Sequence, residues 1–427
     1  MTTTLALRQH SLRSFFRFLG PGLVAGAADD DPSGIATYSQ AGAQFGYSLL
    51  WTVVLTWPFM VAVQLISARI GRVTGQGIAA NIKEAMPRPV LLALVSLLLT
   101  ANTINIAADI AAMGEALQLV AGGGEHGHAL VFGLVCMLLQ VFIPYRKYAP
   151  ILKWLTLALF AYVATVFAIQ VDWSAAMRAT FLPKFESSAD YLLVVVAVFG
   201  TTISPYLFFW QASQEVEEME LHNRRPLRDL RRSGEQEIDR IAIDTSLGMA
   251  FSNLIAFFIM VTTAATLHAH GVTDIQTSAQ AAEALRPLAG ELTFFLFALG
   301  VIGTGLLAVP VLAGSAAYGV AEAFGWRASL ASKPSEAKGF YSLIAAGTLV
   351  GVCIDFTPLD PIKMLFWSSV INGFIAVPMI VAMMLLVSRP VIMKRFVVPR
   401  TLKYAGWSAA FVMAAVVAAL CWSVFRG

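Results

Sequence analysis

The chain has 427 residues, of which 58% are hydrophobic and 13% charged, with a formal net charge of +3. Soluble proteins carry about 25% charged and roughly 45–50% apolar residues. The composition therefore excludes a soluble globule, a disordered chain, a coiled coil, a disulfide scaffold and a nucleic-acid binder, and leaves a polytopic helical membrane protein. A membrane β-barrel would alternate over segments of about ten residues, whereas the apolar runs here are long and unbroken.

A membrane span needs about 20 apolar residues. Eleven runs qualify, at roughly 18–44, 48–70, 89–119, 129–143, 149–170, 190–214, 241–268, 291–323, 339–354, 361–387 and 402–424. Residues 1–17 hold Arg8, Arg13 and Arg17 but no apolar core, so they predict a tail and no cleavable signal. With that tail in the cytoplasm, Arg69, Arg72, Lys83 and Arg88 fall on the same side. Arg146, Lys147 and Lys153 join them, as do the basic residues of 224–240 and of 389–403. The positive-inside bias predicts a multi-pass inner-membrane protein with a cytoplasmic N-terminus. The mixed-charge stretch 215–240 reads as a solvated cytoplasmic connector, with an acidic exit vestibule at Glu215, Glu217 and Glu218 as the sharper alternative.

Two spans are interrupted. The first reads GPGLVAGAADDDPSGIATYSQ and the sixth VVVAVFGTTISPYLFFWQASQ. Pro32 and Pro205 each remove a backbone donor inside an apolar segment. Irregular backbone survives at membrane depth only where it lines a cavity or is buried in protein. Paired broken helices in corresponding halves point to a transport site near the midplane. Asp29, Asp30 and Asp31 stand at the first break, and Lys and Arg enter the spans only at their ends. Intramembrane carboxylates without basic partners read as a cation site. Three consecutive residues cannot all face one ion, and Asp31, beside Pro32, is the first candidate. The alternative is that the triplet caps the following half-helix.

The run GPGLVAGAADDDPSGIATYSQAGAQFGYSLLW resembles the first two spans of the NRAMP family of divalent metal transporters, as do LISARIGRVTGQGIA, GTTISPYLFFWQAS, Asn253 and LDPIKMLFWSS. The resemblance covers essentially the whole chain. It implies an all-α membrane protein of eleven transmembrane helices, with two inverted five-helix repeats and broken helices 1 and 6. The repeats would occupy 18–170 and 190–387, followed by an eleventh helix at 402–424. It implies a metal site at Asp31, at the Thr201 carbonyl and at Ser369, and an acidic proton-route residue at Asp109. Asp30 and Gly34 complete the candidate site, while Tyr206, Asn253 and Asp244 are candidates for the ion or proton path. No cofactor is expected, because the divalent ion is cargo. The expected partners are that ion, protons and the bilayer, with no nucleic acid and no obligate protein.

Departures from the family pattern bear on the chemistry. The family asparagine is Gly34, the metal-binding methionine is Ser204, the histidine is Tyr206, and a second acid of the third span is Ala112. Loss of a soft thioether favours hard cations. Space at Gly34 would suit a partly hydrated Mg²⁺. The pattern resembles the NRAMP-related magnesium transporters, with a proton-coupled Mn²⁺/Fe²⁺ symporter as the alternative. Proton coupling is expected to be weak, because two titratable positions are missing. A sodium-coupled amino-acid transporter on the same fold is a further alternative, disfavoured by three aspartates. No HExxH or Gly-x-Ser-x-Gly motif within a span supports an enzyme.

Other features read more plainly. AGGGEHGH, with Glu125, His126 and His128, is expected as a solvated turn. The three cysteines are expected to be buried, and Trp51, Trp57, Trp173 and Trp422 to anchor the membrane interface. Asn102, Asn105 and Asn372 either line the path or join helices.

Overall fold

The computed structural model describes residues 20–143, 147, 152, 154–230, 234–357 and 359–426. The tail with Arg8, Arg13 and Arg17, and Arg146, Lys153, Arg231 and Arg232, lie outside them. All regular secondary structure among the described residues is helical, with no strand among them.

The first interrupted span is two helices, α1 (Pro21–Asp29) and α2 (Pro32–Phe45), followed by α3 (Leu50–Thr74). Next come α4 (Ile78–Ala85), α5 (Arg88–Ala121) and α6 (Glu125–Phe142). α7 (Phe160–Ala168) and α8 (Trp173–Phe181) follow, and the segment Leu155–Ala168 meets α8 at a bend of 120°. The sixth run splits into α9 (Ala189–Thr202) and α10 (Pro205–Leu221). The remainder is α11 (Glu235–Ala265), α12 (Thr293–Phe324), α13 (Lys338–Asp355), α14 (Pro361–Val387) and α15 (Arg400–Arg426), with short helices between some of them.

Among the described residues, nine helical segments are long and apolar enough to cross a membrane, or ten if the bent pair is one span. Eleven were expected. The difference begins at the first break, where α1 and α2 have only 9 and 14 residues. One of the nine segments, Pro32–Thr74, holds 43 residues. At 1.5 Å per residue that is about 65 Å, roughly twice a hydrocarbon core.

Both breaks sit where proline forces them. Pro32 and Pro205 take the first turns of α2 and α10, where a missing N–H costs nothing. Close backbone packing holds α1 against α11. A Cβ on Gly22 would stand 2.6 Å from the Thr245 Cα, and one on Gly26 would overlap the Gly248 backbone. α5 runs through the bundle and packs along α12 and α14.

Several expectations are corrected. α10 continues to Leu221, so Glu215 and Glu217 lie in a helix and are buried rather than in a solvated loop. Arg240 approaches Glu215 at 3.7 Å, while Glu217 accepts from the Tyr318 hydroxyl and from the Leu330 N–H. These distant partners counter part of the desolvation of the two carboxylates. Only Cys136 is buried; Cys353 is exposed and Cys421 intermediate. Trp51 is not an interface anchor, because its indole N–H is turned inward to the Tyr191 hydroxyl at 3.0 Å. Glu125, His126 and His128 open α6 instead of forming a free turn, and His126 Nδ1 lies 3.0 Å from an Asp355 carboxylate oxygen.

Candidate metal site at the two helix breaks

Asp31 is the N-cap of α2. Its Oδ1 accepts from the Gly34 N–H at 2.8 Å and from the Ser33 hydroxyl at 2.6 Å. Its Oδ2 faces the other way, with the Asn105 amide at 3.1 Å and the Tyr206 hydroxyl at 3.3 Å. The capping and site readings of this carboxylate therefore occupy different oxygens. Asp31 is only 1% exposed.

The rest of the triplet turns to α11. The Ser252 hydroxyl lies 2.6 Å from Asp29 Oδ2 and 3.0 Å from Asp30 Oδ1. Asp29 Oδ1 is buried without a hydrogen-bond partner among the described residues. Asp30 is thus oriented toward Ser252, whereas Asp31 meets α5 and α10. Among the described residues, no three His, Cys, Asp or Glu side chains form a ready-made metal cage.

The second break supplies Tyr206, Thr201 and Ser204. The Tyr206 hydroxyl lies 3.0 Å from the Ala28 carbonyl, near the C-terminal end of α1. The Ser204 hydroxyl donates to the Gly200 carbonyl at 2.9 Å and the Thr201 carbonyl at 2.6 Å. It therefore satisfies its own broken helix, and the Thr201 carbonyl already has one donor. Thr201 still lies beside the first break, since a Cβ on Gly34 would come within 3.3 Å of its Oγ1. The same Cβ would lie 3.4 Å from Tyr38 Cε2. The expected space at Gly34 is therefore not open: Thr201 and Tyr38 occupy its surroundings.

α14 completes the cluster. Ser369 is fully buried and accepts from the Thr37 hydroxyl at 2.8 Å. Ser368 donates to the Asn105 carbonyl oxygen at 2.6 Å, which fixes the orientation of the amide that reaches Asp31. Asn105 thus joins three helices, whereas Asn102 bonds α12 alone, through the Leu312 carbonyl at 2.9 Å and Ser315 at 2.6 Å.

The path candidates separate. Asp109 is fully buried, and neither carboxylate oxygen has a hydrogen-bond partner among the described residues. It lies one helical turn beyond Asn105 on α5. Asn253 Oδ1 also lacks a partner there. Asp244 instead accepts from the Gly20 N–H at 3.1 Å and the Gly22 N–H at 2.8 Å, at the start of α1. Asp244, Gly248 and Ser252 recur every fourth residue, so they share one face of α11. That face caps the start of α1, packs its middle and meets its terminal carboxylates. Sequence reading missed Ser252; its four-residue spacing from Gly248 and Asp244 was the available signal.

A family model for natural resistance-associated macrophage protein-like proteins, Nramp, matches residues 22–423. A divalent metal cation transporter, MntH, of Deinococcus radiodurans is 27% identical over 432 aligned positions, covering 97% of this chain and 92% of the relative. The manganese transporter of Eremococcus coleocola has a similar fold, with TM-score 0.74 at 18% identity, covering 97% of this chain and 88% of that one. Mhp1, a nucleobase-cation-symport-1 family transporter, matches more loosely, at TM-score 0.52 and 14% identity over 96% of this chain and 93% of its own. The chain belongs to the Nramp family, whose members are metal transporters and not enzymes.

Proposed function

We propose that this chain carries a divalent metal cation across the membrane by alternating access, with Asp31 as its carboxylate ligand. The observation that carries the reading is the position of Asp31 Oδ2, between the Asn105 amide and the Tyr206 hydroxyl where the two broken helices meet. Unwound carbonyls beside a buried carboxylate suit a cation. The D. radiodurans relative is named as a divalent metal cation transporter, which supports the same class.

Apart from the Asn105 amide N–H, which faces Asp31, the groups at the two breaks offer oxygen, which suits Mn²⁺ and Mg²⁺ better than soft metals. Mg²⁺ usually keeps several waters. Thr201, Tyr38 and Tyr206 fill the surroundings of Gly34 and Asp31, so we read Mn²⁺ as the principal cargo. The manganese transporter with the matching fold supports this choice. Mg²⁺ is the second reading, favoured by Ser204 in the place of a thioether. Proton coupling is weak in this account, because Tyr206 stands in place of a histidine and Ala112 in place of a second acid.

We read the topology as eleven spans with a cytoplasmic N-terminus in the inner membrane. α1 with α2 and α9 with α10 are then the first and sixth spans of inverted repeats over 18–170 and 190–387. The length of Pro32–Thr74 supports a separate pass for α3.

The test is uptake into proteoliposomes with Mn²⁺ and Mg²⁺ in direct competition and luminal pH recorded. Mn²⁺ uptake with little acidification supports the reading. Uptake of neither ion, in protein that binds neither, overturns it.

A further inference from the structure

A groove of about 530 Å³ opens on the outer face of the bundle, between α3, α11 and the start of α15. Its lining is apolar apart from a few groups, and runs along α3 from Trp57 to Arg69. That is about 18 Å at 1.5 Å per residue. Ala62, Ala242 and Ala405 contribute small side chains along it.

Among the described residues of the lining, Arg69 is the single cation. The contrast with Arg72, one turn further on, is instructive. Arg72 is bonded to Glu237 at 2.5 Å and to the Arg225 carbonyl at 2.8 Å. Arg69 has no such hydrogen-bonded partner among the described residues, and Asp239 acts on it only through the field. A half-buried guanidinium beside apolar surface is costly unless an anion meets it. Arg400 and Lys403, both exposed, flank the lining residues Thr401 and Leu402 at the same end. Arg69, Arg400 and Lys403 outweigh Asp239, so the groove is apolar along its length and cationic at one end.

We propose that this groove binds an anionic glycerophospholipid, with its phosphate on Arg69 and one acyl chain along α3 toward Trp57. Guanidinium and phosphate match in bidentate geometry, and the chain replaces water or disordered lipid along apolar walls. Arg400 and Lys403 add the field that favours an anionic headgroup over a zwitterionic one. The bound lipid would bridge α3, α11 and α15.

The test is the thermal stability of the full-length protein in a neutral detergent, titrated with phosphatidylglycerol or phosphatidylcholine. Mn²⁺ binding is measured on the same samples, so that loss of lipid response is separated from loss of the transport site. Phosphatidylglycerol should raise Tm by several degrees and phosphatidylcholine should not. Arg69→Gln should abolish the shift while Mn²⁺ binding persists, and Ala242→Trp, which fills the groove, should do the same. If Arg69→Gln does not fold, Ala242→Trp decides. Equal shifts from both lipids would overturn the proposal. So would a wild-type response from either variant, or the full shift from glycerol 3-phosphate alone.

Discussion

The Tyr206 hydroxyl stands 3.3 Å from Asp31 Oδ2 and 3.0 Å from the Ala28 carbonyl, so one residue of the second break closes both sides of the first. Its single proton serves one acceptor at a time, and an arriving cation would change which one it serves.

Tyr206→Phe removes that donor from a buried carboxylate and a free helix-end carbonyl. Losing a buried hydrogen bond to a charged group costs about 1.5–3 kcal/mol. We expect metal affinity to change by about tenfold or more, with the fold intact. Calorimetric titration with Mn²⁺ checks it, and an unchanged affinity would remove Tyr206 from the site.

Asp244→Ala strips the cap from the start of α1. Such a loss costs about 0.5–2 kcal/mol. The expected result is a lower Tm and greater reactivity of a cysteine introduced at Leu23 on α1. Wild-type reactivity together with an unshifted Tm would show that the cap does not hold α1 against α11.

Ser204→Met puts a thioether where a hydroxyl now bonds the Gly200 and Thr201 carbonyls. A soft donor raises affinity for soft ions. Cd²⁺ should compete with Mn²⁺ uptake at least about tenfold better than in the wild type, at some cost in stability. Unchanged Cd²⁺ competition would place position 204 away from the ion.

Asp109→Asn tests the proton route. Asp109 is one turn from Asn105 and touches no ion ligand directly. Mn²⁺ binding should stay within about twofold of wild type, while the slight luminal acidification that accompanies uptake, and with it the slight dependence on external pH, disappears. A wild-type pH profile would assign Asp109 a packing role.

How much of this was legible follows from where each signal lives. Pro32, Pro205 and three aspartates in an apolar run are local features, and they located both breaks, with the aspartates at the first. Partnerships across more than two hundred residues leave no local mark. Nothing near Asp244 says that it accepts from Gly20 and Gly22, and nothing near Asp29 points to Ser252. Glu215 and Glu217 read as solvated because charge normally is, and distant groups such as Arg240, Tyr318 and Leu330 meet them in the fold. The space expected at Gly34 failed for a related reason: removing a side chain opens room only if neighbours do not take it, and Thr201 and Tyr38 do.

The most direct test of the central claim is Mn²⁺ binding, measured calorimetrically, to the wild type and to Asp31→Asn and Asp30→Asn. The account predicts that binding disappears in Asp31→Asn and persists within a few-fold in Asp30→Asn, whose carboxylate is turned to Ser252. Binding retained by Asp31→Asn, or lost equally in both variants, would contradict it.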